Sequence, residues 1–155
     1  YALADIIDDP VRHNGWLEHT AELNRLSASR GVETGISVIV FGAADIASES
    51  AFWAGVLGGK VYPDDDYGWH SVVDADGEWR MGIQRAPDHV PPVWPSGDRS
   101  QQVHLHLHVH DGRAAHDEVM ALGARLLQQG DTDAAEGHQV YASPAGHPFC
   151  IGWGH

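Results

Sequence analysis

With 155 residues and 16.8 kDa, the chain is long enough to bury one substantial core, and 43% of its residues are hydrophobic. Its 22 acidic residues outweigh 9 basic ones, and a net charge of −13 opposes non-specific binding to nucleic acid or anionic lipid. The single cysteine, Cys150, excludes an intrachain disulfide framework, and no apolar run reaches membrane-spanning length. The expectation is a reduced, cytoplasmic protein with no nucleic-acid and no membrane partner.

Residues 1–34 differ in character from the rest. Asp9-Pro10 reads as an N-cap followed by a first helical residue, Trp16, Leu17, Leu23 and Leu26 form a loose apolar stripe, and Gly31 is a stop. This predicts an N-terminal helical extension, packed on the outside of a domain or across a partner. From Gly35 the pattern sharpens. Ile36 to Phe41 is a β-branched run, Asp45 is a capping residue, and Phe52, Trp53, Val56 and Leu57 lie at helical spacing before Gly58-Gly59. Strands are predicted at Lys60–Tyr62, Trp69–Val73 and Trp79–Gln84, and the proline-rich stretch from Ala86 to Ser100 reads as a loop. Its segment from His89 to Gly97 is either a lid or a plain connection.

The second half repeats this order. Val103–His110 is a strand, Asp111 caps a helix with Ala115, Val119 and Leu122 inward, and Gly123 stops it. Strands follow at Ala124–Gln128, His138–Ala142 and Phe149–Trp153. Asp45 and Asp111 are 66 residues apart, as are Val38 and His104, and Gln84 and Cys150, while Gly58 and Gly123 are 65 apart. A constant offset with the same order of elements indicates an internal repeat. The predicted fold class is α+β, with two βαβββ modules, about 35–86 and 101–154, forming a curved mixed sheet around a cleft with helices on the outer face. Alternation along Val103–His110 turns Leu105, Leu107 and Val109 toward the helices and His104, His106, His108 and His110 toward the cleft. In the first copy Ile39 and Phe41 take the helix side, leaving Val38, Val40 and Gly42 on the inner side.

The segments ESAFWAGVLGGKV (49–61), VHLHLHVHD (103–111), ALGARL (121–126) and SPAGHPFCIGW (143–153) resemble the vicinal-oxygen-chelate superfamily, which includes glyoxalase I, extradiol dioxygenases and bleomycin-resistance proteins. The resemblance covers about residues 35–154. In metal-dependent members four strand positions supply ligands to one divalent ion, and carried over by position these are Val38, Gln84, His104 and Cys150. Val38 offers no donor, Gln84 only a neutral carbonyl, and Cys150 stands where a carboxylate is expected, so the pattern argues against ordinary glyoxalase I activity.

Two functions follow from these residues. The first is a metal-free module that binds a small organic molecule, cationic and aromatic by preference, in a cleft lined by Trp69, Trp79, Gln84, His104, His106, His108 and Cys150. The second is a lyase, isomerase or dioxygenase using a divalent metal, zinc or another soft transition metal, held by His104 and His106 with help from Cys150 or Gln84. There the ion would act as a Lewis acid on neighbouring substrate oxygens. Alone, Cys150 reads as a small buried hydrophobe, since no base and orienting group accompany it. The open sheet edges favour a homodimer, with the modules closing within one chain or exchanging between two.

Overall fold

The computed structural model describes residues 38–154, so the predicted N-terminal helix lies outside the described residues. The elements are β1 (Ile39–Ala43), α1 (Ile46–Val56), β2 (Lys60–Asp64), β3 (Trp69–Val73), β4 (Trp79–Arg85), β5 (Leu105–Val109), α2 (Gly112–Leu122), β6 (Arg125–Gln128), β7 (Gly137–Ala142) and β8 (Pro148–Trp153). This is βαβββ twice, as the repeat predicts. Each copy makes a mixed four-stranded sheet, β1-β4-β3-β2 and β5-β8-β7-β6, in which the first and last strands of the module run parallel and the other pairs antiparallel.

The helix ends follow from their capping chemistry. Asp45 Oδ1 accepts from the Ser48 amide at 3.0 Å, and Ser48 Oγ donates to Oδ2 at 2.6 Å. Asp111 accepts from the amides of Arg113 and Ala114. These bonds satisfy N–H groups that no helical carbonyl can reach. Both helices run 11 residues. In the first copy Leu57 is the C-cap and Gly58 takes the left-handed conformation at φ +63°, whereas in the second Gly123 does both at φ +109°. The second turn is therefore one residue shorter, which is why the offset falls from 66 to 65.

The core explains how the copies are arranged. Helix α1 lies chiefly over β2 and β3 and also touches α2. Had the sheets joined edge to edge through β1 and β5, the helices would stand several strand spacings apart and could not touch. Instead the helix-bearing faces meet in one apolar cluster that contains Phe41, Phe52, Trp53 and Ile83 from the first copy and Tyr141 and Phe149 from the second. Phe149 sits 5.7 Å from the Phe52 ring and 5.2 Å from that of Trp53. Accordingly the two sheets are hydrogen-bonded separately, and no ladder joins them among the described residues.

Polar contacts fix this packing. Glu49, on α1, is fully buried; its Oε1 accepts from Trp53 Nε1 at 2.8 Å and its Oε2 from the backbone amide of Ala145 at 2.7 Å. His147, in the same β7–β8 connection, donates from Nε2 to the carbonyl of Gly42 at 2.7 Å and stacks on Phe41 at 4.7 Å. A second polar chain, invisible in the sequence, braces α1 to β3: Ser50 Oγ is 2.7 Å from His70 Nδ1, and His70 Nε2 is 3.1 Å from Asp65 Oδ1. Its residue types match a hydrolytic triad, but Ser50 is 1% exposed and His70 4%, so no substrate can reach the hydroxyl.

Two predictions follow from the fold. Glu49→Ala leaves two donors unpaired in the core and is expected to cost about 3 kcal/mol, with Glu49→Gln costing roughly half as much. Urea denaturation at unchanged m-value reads this, and an unaltered midpoint for Glu49→Ala refutes it. The hydrogen bonds from the Ser48 hydroxyl and amide hold Asp45 below its ordinary value of 3.8. A depressed folded-state pKa stabilises the fold above the unfolded value and ceases to do so as pH falls through the folded one. Stability should therefore fall more steeply below pH 3.8 in the parent than in Asp45→Asn, which retains a capping oxygen but no titration. Parallel curves for the two proteins would refute the assignment.

Candidate ligand site on the open sheet faces

The second sheet shows the alternation expected from the sequence. Leu105, Leu107 and Val109 pack against the core, and His104, His106, His108 and His110 are exposed on the other side. Across the parallel ladder His106 faces Cys150, and His108 faces Gly152. The donor atoms of His104, His106 and Cys150 all lie within 4.8 Å of one another. His106 leans diagonally across β8: a Cβ on Gly152 would stand 2.8 Å from its Nε2, so the ring occupies space that only glycine leaves. Gln101 Nε2 donates to His104 Nδ1 at 3.1 Å, and His108 Nδ1 lies 3.3 Å from the Gly152 carbonyl. Cys150 is 7% exposed and burial pushes its thiol up, while the imidazoles of His104 and His106 stand beside it.

The first sheet carries the aromatic part. Trp69 pairs with Gln84 across the antiparallel ladder, and Ser71 with Gly82. The Trp69 indole lies over Gly82, where a Cβ would collide with the ring, and Trp69 Nε1 donates to Ser71 Oγ at 3.0 Å. Trp79 Nε1 donates to the Met81 carbonyl at 2.9 Å, and the two indoles meet edge to face at 6.4 Å. Both indole nitrogens are thus satisfied within the sheet, which fixes the rings, and both residues remain half-buried. Gln84 and Val40 are exposed beside them.

The residues singled out in the sequence therefore form two groups. Trp69, Trp79 and Gln84 share the first sheet; His104, His106, His108 and Cys150 share the second. Because the helix-bearing sides meet in the common core, the four inherited ligand positions do not converge within one chain: Val38, just before β1, and Gln84 go with one sheet, and His104, just before β5, and Cys150 with the other. The proline-rich segment is anchored as a connection. His89 Nε2 donates to the Ala145 carbonyl at 3.0 Å and its ring lies 4.6 Å from that of His147. Beside it a recess of about 130 Å³ is lined by Trp94, Gln101 and Pro148. A larger groove, about 400 Å³, runs between the modules past Leu57, Asp74, Leu107 and Glu118 and touches the histidine ladder only at His108.

The profile of the glyoxalase-like domain matches residues 38–152. No protein among the curated sequences matches. Among solved structures, the fosfomycin resistance protein FosX from Mesorhizobium loti is 14% identical, with 78% of this chain and 92% of that chain covered at a TM-score of 0.57. A glyoxalase/bleomycin resistance protein/dioxygenase family enzyme from Burkholderia phytofirmans is 17% identical, covering 79% and 100% at 0.55. FosX from Listeria monocytogenes, solved with Mn(II) and 1S,2S-dihydroxypropylphosphonic acid, is 14% identical, covering 79% and 91% at 0.56. At these identities the likeness is one of fold, shared with the vicinal-oxygen-chelate superfamily. With the repeat, the sheet order and the profile in agreement over the whole described region, the chain belongs to the glyoxalase-like domain family.

Proposed function

We propose that this protein binds a small organic molecule, flat and cationic by preference, against its open sheet faces, without the oxygen-ligated metal centre of its metal-dependent relatives. The observation that carries this reading is the Trp69–Trp79 pair, held rigid by its own hydrogen bonds and flanked by the exposed Gln84 amide. A fixed indole face stacks on an aromatic ligand at little entropic cost and attracts positive charge, and an acidic protein raises the local concentration of cations. The amide of Gln84 would orient the ligand.

The Mn(II) seen in the Listeria neighbour demands hard, charged oxygen donors. Here Val38 carries none, Gln84 offers only a neutral carbonyl, and Cys150 is a buried thiol. These residues do not fit such an ion. A second reading, a lyase, isomerase or dioxygenase using a soft divalent metal, is favoured by one observation, the close approach of His104, His106 and Cys150.

Homodimerisation completes the proposal. Among the described residues, strands β1 and β5 are each paired on one side only, and Val40 on β1 is 44% exposed. Since the modules of one chain meet through their helices, a cleft walled by both sheets is built between chains, with Trp69 and Gln84 of one facing His104 and His106 of the other.

Metal-stripped protein should bind members of a panel of cationic aromatic compounds saturably, quenching tryptophan fluorescence and raising Tm, while uncharged analogues bind less tightly. Trp69→Ala should weaken that binding about tenfold, the order expected for one lost stacking contact. Light scattering on the eluting peak should give the mass of a dimer. Silence across the panel would refute the ligand reading, and a monomer that binds with full affinity would refute the shared cleft.

A further inference from the structure

We infer that His104, His106 and Cys150 together bind one thiophilic divalent ion, zinc in the first place, on a single sheet of a single chain. The inference stands apart from the organic-ligand reading, which needs no metal. It starts from sheet geometry. Residues two apart in an extended segment project from the same face about 6.6 Å apart, and His104, immediately before β5, brings its ring near that of His106 on β5. Cys150 is the ladder partner of His106 on β8 and supplies the third donor from the neighbouring strand. Three donor atoms within 4.8 Å of one another need to close by only about 1 Å to reach the roughly 3.5 Å edges of a tetrahedron built on zinc–nitrogen and zinc–sulfur bonds.

The donor set selects the ion. Two imidazole nitrogens and a thiolate are borderline-to-soft ligands, which favour zinc and disfavour manganese, magnesium and calcium. Three protein ligands leave the fourth position of a zinc tetrahedron open, and the exposure of both histidines puts that position toward solvent. The ion is thus of a different class from the one expected at the inherited positions: His106, which corresponds to none of them, replaces donors that Val38 and Gln84 do not provide.

Two surrounding features prepare the trio. Gly152 gives the His106 ring its room, as a Cβ there would press on Nε2. Gln101 holds Nδ1 of His104, leaving Nε2 as the ring nitrogen free for the ion. Its Oε1 is buried with no partner. Turned over, the same amide accepts Nδ1–H through Oε1 and fixes the tautomer whose Nε2 lone pair is available, the usual part of a carbonyl behind a ligating histidine.

The test uses tag-free, full-length protein stripped with a chelator. Titration with Co(II) should give one equivalent per chain, an intense sulfur-to-metal charge-transfer band and the ligand-field absorption of a four-coordinate ion. Zn(II) should abolish both signals, and Mg(II) should not. Cys150→Ser should remove the charge-transfer band, His104→Ala and His106→Ala should weaken binding at least tenfold, and His110→Ala, on the same ladder but outside the trio, should leave it unchanged. If Cys150→Ser does not fold, alkylation of the single thiol in the parent protein gives the same reading, slowed by Zn(II) and unaffected by Mg(II). Absence of the band, a band that survives Cys150→Ser, or alkylation indifferent to zinc overturns the inference. Binding of organic cations is read on stripped protein, so either result can fail without the other.

Discussion

The arrangement of the molecule depends on a carboxylate with no access to water. Glu49 is fully buried, and both of its oxygens accept, one from the Trp53 indole on its own helix and one from the Ala145 amide of the other module. A buried acid is tolerated only when such donors surround it, so the contact admits one docking of the second module on α1. His147 reinforces that docking by occupying the Gly42 carbonyl, on the edge of β1 that no strand covers among the described residues. With the helix-bearing faces committed to each other, the tryptophan and histidine faces can only look outward. The candidate site owes its exposure to a residue with no part in its chemistry.

Much of this was legible in the chain itself, wherever the controlling physics is local. Asp45 and Asp111 cap the helices that their spacing announces, and the shift in offset from 66 to 65 is the single residue saved when Gly123 combines two roles divided between Leu57 and Gly58. The His-x-His ladder likewise obeys strand alternation. What the chain conceals are partners distant in sequence. Glu49 and Ala145 are 96 positions apart, and nothing near Ser50 announces that it meets His70. The sheets remain separate because side-chain contacts between the modules decide their docking, and no periodicity encodes those. His70 did offer a clue, since it falls on the helix side of β3 beside Val72 and needs a polar partner there.

The site residues show a coherent departure from the chemistry of metal-dependent relatives. At the four positions carried over from those relatives stand a valine, an amide, an imidazole and, in place of the expected carboxylate, a thiol, and further imidazoles follow along β5. None of these is the charged oxygen donor that a hard ion prefers, whereas imidazole and thiol are softer donors. Gln84 and the histidines are exposed and Cys150 is buried, and none of them belongs to the aromatic cluster that holds the modules together.

Two glycines shape these faces while adding no atoms to them. Gly82 lies beneath the Trp69 ring and Gly152 beneath the His106 ring, each on the strand next to the one that bears the ring. In both places a planar group is laid down by the omission of a side chain next door. The shape of both faces is therefore open to change from beneath: a methyl group added at either glycine would tilt the plane above it while leaving every side chain on the open faces in the sequence intact.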